Sequence, residues 1–145
     1  MKGNQLNNSI VAKSDVRLLV AEDNPFNVEL IKIMLDSLEY PEAVFVTTGR
    51  QACEACNVQQ YDLILMDCNM PEMDGYEATR HIRTLESSVS SMLCHRPSII
   101  IAMTGDSMPD NQEECRKAGI DDFLPKPFTI QHFKNVLQRW LPESD

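Results

Sequence analysis

The sequence predicts an α/β fold in which a five-stranded parallel sheet is covered on both faces, a doubly wound (βα)5 sandwich. Short, continuous apolar runs bounded by polar residues are typical of strands buried on both faces, as in a parallel sheet. Amphipathic helical patterns alternate with these runs, so that strand and helix follow each other five times, and right-handed crossovers are expected. The three clearest strand candidates are residues 16–21, 63–66 and 99–103.

The first two helices are predicted from capping residues and from the spacing of apolar residues. Asn24 is a suitable N-cap, and Pro25 stands at the first helical position, where a missing N–H costs nothing. A weaker strand at 43–46 and a second helix at about 50–58 follow. The apolar residues of the first helix recur at helical spacing and are expected to face the sheet: Val28, Ile31, Leu35 and Leu38.

A third helix is predicted from Asp74 to about Glu86, followed by a long serine-rich connection over 86–98. Because this connection follows a helix, we place it at the edge opposite the carboxyl ends of the strands. We interpret it as a tolerated surface insertion.

The fourth helix is predicted to start at Pro109 and to end before Gly119, with basic residues in its last turn. A weak strand at 122–124 precedes the last helix, which Thr129 is expected to cap. The apolar stripe of that helix is Ile130, Phe133, Leu137 and Trp140.

Length and composition indicate one domain with an ordinary core. The chain has 145 residues, of which 43% are hydrophobic, and no repeat period is visible. The ordinary apolar fraction and the lack of a repeat exclude collagenous, disordered and solenoid classes. Residues 1–15 are polar and aperiodic and are interpreted as a flexible leader. We expect the domain to span 16–142, with a tail at 143–145.

Charge and cysteine content narrow the function classes. With 13 basic and 22 acidic residues the net charge is −9, which argues against direct nucleic-acid binding and suits a divalent cation. The longest apolar run is far shorter than the roughly 20 residues of a membrane span.

Five cysteines without framework spacing, including Cys53-x-x-Cys56 in a helix, indicate structural thiols in a cytoplasmic chain or in the cytoplasmic part of a membrane-attached protein.

Chemically active side chains are predicted to meet at one edge of the sheet. In an open α/β sheet, ligands bind outside the carboxyl ends of the strands. Strand 1 ends in Glu22 and Asp23, strand 3 in Asp67 and strand 4 in Thr104, and strand 5 leads into Lys126. Three neighbouring acids repel one another, and a hard divalent cation such as Mg²⁺ relieves that repulsion.

Four segments carry a family resemblance. They resemble the response-regulator receiver domain of two-component signalling, in the style of receivers of hybrid histidine kinases. The resemblance covers about residues 16–141, and it implies the flavodoxin-like strand order 2-1-3-4-5. The segments are AEDN at 21–24, MDCNMPEMDG at 66–75, MTG at 103–105 and LPKPF at 124–128, of which the second is the most specific.

The resemblance implies a role for each residue of the predicted site. Asp67 would accept a phosphoryl group from a histidine kinase or a histidine phosphotransfer domain. Thr104 and Lys126 would bind the phosphoryl oxygens, and a cis bond would join Lys126 to Pro127. The Mg²⁺ ligands would be the carboxylates of Glu22, Asp23 and Asp67 and the backbone carbonyl of Asn69.

The resemblance also implies a switch. Thr104 would move towards the phosphoryl group and Phe123 would follow, which changes the face formed by the fourth helix, fifth strand and fifth helix for a partner or a second copy. The chain departs from the family pattern at three positions, with Glu22 for Asp, Phe123 for Tyr and Gly105 for Ala. Asn69 and Asp106 are expected to orient the water that hydrolyses the aspartyl phosphate.

Three other functions fit the sequence less well: a nucleotide-dependent enzyme, a phosphohydrolase and a pseudo-receiver. No glycine-rich phosphate-binding motif is present, which argues against nucleotide cofactors. A phosphohydrolase of the haloacid-dehalogenase type would need a second Asp where Asn69 stands. A phosphorylation-independent pseudo-receiver would not need Asp23, Asp67, Thr104 and Lys126 together. We therefore expect a phosphoacceptor regulatory domain, not an enzyme, that assists its own phosphorylation and dephosphorylation.

Overall fold

The computed structural model describes residues 15–40, 42–93, 97–105 and 112–141. Strands and helices alternate throughout this part of the chain. Their order is β1 (Leu18–Ala21), α1 (Pro25–Ser37), β2 (Ala43–Val46), α2 (Gly49–Val58), β3 (Leu63–Asp67), α3 (Gly75–Leu93), β4 (Ile99–Thr104), α4 (Gln112–Ala118), β5 (Asp122–Pro125) and α5 (Ile130–Trp140). The expected tail and all of the expected leader except Asp15 lie outside the described residues.

The strands form one parallel sheet in the order β2-β1-β3-β4-β5, which confirms the predicted fold class. The order of the strands reverses between β1 and β3, where the chain leaves β1 for the edge strand β2 and returns on the other side. Every residue of β1 and β3 is buried. The carboxyl ends of these two strands therefore form the crevice in which ligands bind in such sheets.

Alternate strand residues supply two separate apolar cores, one on each face of the sheet. Leu18 and Val20 pack with α1 and α5, whereas Leu19 and Ala21 pack with α2, α3 and α4. Because both faces are covered, no polar residue alternates along these strands, and this explains the continuous apolar runs.

Helix α1 begins where its capping residues predict. The side chain of Asn24 accepts hydrogen bonds from the backbone N–H groups of Phe26 and Asn27 at 2.8 and 3.3 Å. Pro25 occupies the first helical position. The buried residues of this helix are Ile31, Met34 and Leu35, with Val28 and Leu38 half-buried at either end of that face.

The predicted end of the third helix is wrong, and so is the long irregular connection at 86–98. Helix α3 continues to Leu93. No Gly or Pro interrupts the chain between Glu86 and Pro97, and serine in a helix costs only a few tenths of a kcal/mol relative to alanine. The Ser88 hydroxyl donates to the Leu85 carbonyl at 2.8 Å within the helix. Residues 94–96 lie outside the described part.

One member of the apolar stripe predicted for the last helix, Ile130, does not belong to its buried face. Helix α5 buries Phe133, Val136 and Leu137, but Ile130 is 41% exposed. Ile130 is the first residue of the helix, and Cα–Cβ bonds tilt towards a helix N-terminus, so its side chain points beyond the packed layer. Thr129 caps the helix as expected. The predicted start of the fourth helix at Pro109 falls outside the described residues.

Arg83 of α3 forms hydrogen bonds at the amino-terminal edge of the sheet, opposite the carboxyl ends of the strands. Its guanidinium donates to the Gly119 carbonyl from Nε and Nη2 at 3.0 and 2.7 Å, and to the Ser98 carbonyl at 2.8 Å. It also pairs with Glu86 and Asp121 at 2.7 and 2.8 Å. A cavity of about 540 Å³ lies beside this network, away from the predicted site.

Among the described residues no helix combines the length and apolar character of a membrane span.

Candidate functional site

Three carboxylates meet at the crevice between β1 and β3. Glu22 and Asp23 follow β1, and Asp67 is the last residue of β3. One oxygen of each lies within 4.8 Å of the other two. Glu22 and Asp67 are buried, at 1% and 3% exposure, whereas Asp23 is exposed. The fold thus brings together the acids that the sequence placed at one edge.

Lys126 reaches this cluster from the turn after β5. Its ammonium donates to Oε1 of Glu22 at 2.9 Å and lies 3.4 Å from Oδ1 of Asp67. The backbone N–H of Lys126 donates to the carbonyl of Thr104 at 2.6 Å, which ties the turn to the end of β4. The bond to Pro127 is cis, as the resemblance implied.

The charges of the cluster do not balance. Three carboxylates and one ammonium carry a net charge of −2 when all are ionised. Burial raises the pKa of Asp67 to about 6; the negative charge of Glu22 adds to this effect, and the N–H of Asn69 and the ammonium of Lys126 oppose it. Burial alone would lower the pKa of Lys126, but its hydrogen bond to Glu22 and the charge of Asp67 raise it.

The donor set fits a hard divalent cation. It consists of carboxylate oxygens, the ligands that Mg²⁺ prefers, and a cation of charge +2 would neutralise the excess of −2. The burial of two of the three acids makes that neutralisation worth more than it would be in water.

Asn69 adjoins the cluster. Its backbone N–H donates to Oδ1 of Asp67 at 3.1 Å, and its side chain is exposed. A Cβ added to Gly105 would lie 3.7 Å from Nδ2 of Asn69, so the loops after β3 and β4 run side by side. Of the two residues expected to orient water, Asn69 is therefore at the site, and Asp106 lies outside the described residues.

Thr104 and Phe123 occupy neighbouring strands. Thr104 ends β4 and is 5% exposed, and Phe123 in β5 is 8% exposed. Phe123 is paired in register with Ala102 and belongs to the core beneath α2, α3 and α4. The aromatic ring is thus already packed inside, one strand away from the hydroxyl that was expected to direct it.

The glycine of the segment 66–75 allows a close approach between backbones. A Cβ on Gly75 would lie 2.4 Å from the carbonyl oxygen of Asp67. Asp74 caps α3 by accepting the N–H of Glu77 at 2.9 Å. This part of the motif therefore holds the first turn of α3 against the end of β3.

Asn27 also contacts the cluster, although the sequence motifs did not point to it. Its side-chain amide donates to Oε2 of Glu22 at 3.4 Å, and the N–H of Asn24 donates to the same oxygen at 3.1 Å. The signal available in the sequence was an amide residue in the first turn of the helix that follows the acid pair.

The thiols of the described residues do not belong to the acid cluster. Cys53, Cys56, Cys68 and Cys115 form no disulfide bond among the described residues, and they are buried or half-buried. Burial raises the pKa of Cys56 to about 12 and that of Cys68 to about 11. These values leave the two thiols protonated at neutral pH, which agrees with a structural role.

Comparison with known proteins identifies the family. The family model described as "Response regulator receiver domain" matches residues 18–138. Probable histidine kinase 1 of Oryza sativa subsp. indica is 34% identical over 90% of this chain and 16% of its own length. Hybrid signal transduction histidine kinase B of Dictyostelium discoideum is 40% identical over 77% of this chain and 6% of its own length. The chain thus spans about a sixth or less of these two relatives.

Solved structures show the same architecture. The receiver domain of sensor histidine kinase PA1611 from Pseudomonas aeruginosa PAO1, solved with a magnesium ion coordinated in the active site cleft, is 41% identical with a TM-score of 0.73, covering 86% of this chain and 96% of that one. The receiver domain of Ssk1 from Saccharomyces cerevisiae, solved with the phosphotransfer protein Ypd1, shares the fold at 23% identity, with a TM-score of 0.79 and coverage of 90% and 91%. With its strand order and its acid cluster, this chain belongs to the response regulator receiver domains of two-component phosphorelays.

Proposed function

We propose that Asp67 is the phosphoacceptor of this receiver domain. The observation that carries the proposal is the placement of its buried carboxylate at the strand-order crevice, 3.4 Å from the ammonium of Lys126 and beside Glu22 and Asp23. Family membership supports the same assignment. The donor would be a phosphohistidine of a histidine kinase or a histidine phosphotransfer domain, since this chain's relatives are histidine kinases.

In the transfer, a carboxylate oxygen of Asp67 forms a bond to phosphorus while the bond from phosphorus to the histidine nitrogen breaks. The imidazole, which carries a proton on its other nitrogen, keeps the electron pair of that bond and leaves as the neutral ring. Such reactions depend on positioning and on neutralisation of charge. The N–H of Asn69 orients the carboxylate of Asp67. The ammonium of Lys126 and the hydroxyl of Thr104 would bind the phosphoryl oxygens.

Mg²⁺ is the cation that we assign to the acid cluster. Its ligands would be the carboxylates of Glu22, Asp23 and Asp67 and the backbone carbonyl of Asn69. When bound, the metal supplies positive charge where the phosphoryl oxygens and Asp67 would otherwise repel each other. The chemistry of the donor set supports this assignment.

The proposed output is a change at the face of α4, β5 and α5. A phosphoryl group on Asp67 would draw in the hydroxyl of Thr104, and Phe123 would repack beside it. The face would then bind a partner or a second copy of the chain. Asn69, with Asp106, would orient the hydrolytic water, which makes the phosphorylated state a transient signal.

Intact mass after incubation with acetyl phosphate or phosphoramidate and Mg²⁺ tests the proposal. We expect an adduct of one HPO₃ on the wild-type chain and none on Asp67→Asn. Asp36→Asn is the matched control, because Asp36 is an exposed carboxylate in α1 outside the cluster. Steady turnover of an exogenous phosphoester would indicate a phosphohydrolase instead, and an absence of any adduct would indicate a pseudo-receiver.

A further inference from the structure

We propose that Asn27 is a positioning residue of the phosphorylation site, which holds the carboxylate of Glu22 so that it stays paired with Lys126. The structural part of this inference rests on contacts around Glu22. Its consequence for phosphoryl transfer rests on the proposed function of Asp67.

The carboxylate of Glu22 is held from two sides. Oε1 accepts from the ammonium of Lys126 at 2.9 Å. Oε2 accepts from the backbone N–H of Asn24 at 3.1 Å and from the side-chain amide of Asn27 at 3.4 Å. A carboxylate that is only 1% exposed is costly unless its oxygens are hydrogen-bonded, so each donor matters. Lys126 and Asn27 therefore fix the two ends of one buried group.

The fold presents Asn27 to Glu22 through the first turn of α1. Asn24 caps this helix and accepts the backbone N–H of Asn27, which fixes the backbone of the turn. Side chains near a helix start lean towards its N-terminus, and here that direction leads back to the end of β1. The half-buried amide of Asn27 therefore meets Glu22, five residues earlier in the chain.

The chemistry of an amide suits this task. It donates a hydrogen bond to Glu22 and adds no charge to a cluster whose net charge is already −2. A carboxylate at this position would repel Glu22, and an ammonium would compete with Lys126 for it. Asn27 thus orients the acid and leaves the attraction for a cation unchanged.

The length of Glu22 explains why it needs this second anchor. Glutamate has one more rotatable bond than aspartate, so its carboxylate has more positions to occupy. The ammonium of Lys126 also lies closer to Glu22, at 2.9 Å, than to Asp67, at 3.4 Å. If Glu22 turned away, Lys126 would lose the contact that holds its ammonium next to Asp67.

A double-mutant cycle tests whether Asn27 acts through Glu22. The variants are Asn27→Ala, Glu22→Ala and the two together, and Asn57→Ala is the matched control, an exposed helical asparagine in α2. Three quantities are measured: the rate constant of phosphorylation by phosphoramidate, the dissociation constant for Mg²⁺, and the free energy of unfolding in EDTA.

We expect Asn27→Ala to slow phosphorylation and to weaken Mg²⁺ binding by about three- to tenfold each, the size of one hydrogen bond of ordinary strength, because this contact is long at 3.4 Å. In the Glu22→Ala background the same substitution should change neither quantity, and Asn57→Ala should leave both at the wild-type level. Equal effects in the two backgrounds, or no effect in the wild-type background, would overturn the proposal.

Two provisions keep the test decisive. If Glu22→Ala does not fold, Glu22→Asp replaces it, since its carboxylate is one methylene shorter and would not reach Asn27. If the wild-type chain accepts no phosphoryl group, the proposed function fails by itself. The cycles on Mg²⁺ affinity and on unfolding in EDTA then still decide about Asn27: coupling with Glu22 supports its positioning role, and additivity in both contradicts it.

Discussion

The ammonium of Lys126 lies closer to Glu22 than to Asp67: its Nζ is 2.9 Å from Oε1 of Glu22 and 3.4 Å from Oδ1 of Asp67. The single ammonium of the cluster is thus held mainly by the acid that is not the proposed nucleophile. Asp67 remains buried with a pKa raised to about 6. The site is therefore short of positive charge, and this shortage determines how it should respond to substitution, metal and pH.

Asp23→Asn should weaken Mg²⁺ binding by roughly tenfold or more, because it removes one of the three carboxylates that we propose as ligands. It should also block phosphorylation by small phosphodonors. The fold should persist, since loss of one like charge relieves repulsion among the acids. Calorimetric titration with Mg²⁺ and thermal melting in EDTA measure the two effects, and wild-type affinity in this variant would contradict the metal assignment.

Asp67→Asn should stabilise the metal-free protein at neutral pH by about 1 to 3 kcal/mol. The folded pKa of Asp67 is raised from 3.8 to about 6, so the folded state binds the proton more tightly than the unfolded chain. The penalty is absent below about pH 4, grows as pH rises to about 6, and is fully present above it. Urea unfolding of both proteins in EDTA between pH 4 and 7.5 measures the difference, and a gap independent of pH would refute the assignment.

Gly119→Ala should destabilise the fold by about 1 to 3 kcal/mol, whereas Gly105→Ala should have little effect. Gly119 has φ +111°, and a Cβ there would lie 2.5 Å from Cγ of Arg83. A Cβ on Gly105 would meet only Nδ2 of Asn69, at the ordinary distance of 3.7 Å. Chemical denaturation compares the two variants, and equal stabilities would contradict both the clash with Arg83 and the backbone strain at φ +111°.

Beryllofluoride, which mimics the phosphoryl group, should change the NMR signals of Phe123 and of its neighbours in α4 and α5. The cause would be a movement of Thr104 towards the mimic, after which Phe123 repacks beside it. Thr104→Ala should bind the mimic but show much smaller changes at Phe123. Changes confined to the loop after Asp67 in the wild-type chain would argue against the switch.

Asn69→Leu should prolong the phosphorylated state by roughly tenfold, about 1.4 kcal/mol of barrier. The side chain of Asn69 is exposed beside Asp67, and an apolar replacement cannot orient a water molecule. The backbone N–H that binds Asp67 remains in this variant. The decay of the mass adduct after removal of the phosphodonor gives the half-life, and an unchanged half-life would show that another group positions the water.

The prediction of the acid cluster from sequence succeeded because parallel strands leave little freedom. Once the apolar runs are assigned to one parallel sheet, their carboxyl ends must share an edge. Glu22 and Asp67 follow neighbouring strands directly, and so their proximity required no knowledge of side-chain packing. Helix-capping residues correctly placed the start of α1 at Pro25 and the cap of α5 at Thr129.

Other features were decided by the tertiary structure. The extent of α3 past Glu86 and the exposure of Ile130 depend on which segments pack against a helix, and periodicity in one segment does not contain that information. Two of the side chains that contact Glu22 come from different distances along the chain: Lys126 is 104 positions away and Asn27 is five positions away. The sequence by itself determined which groups reach the crevice. Their pairing, and with it the raised pKa of Asp67, depended on the folded chain, because burial and distances between charges exist only once separate elements have packed together.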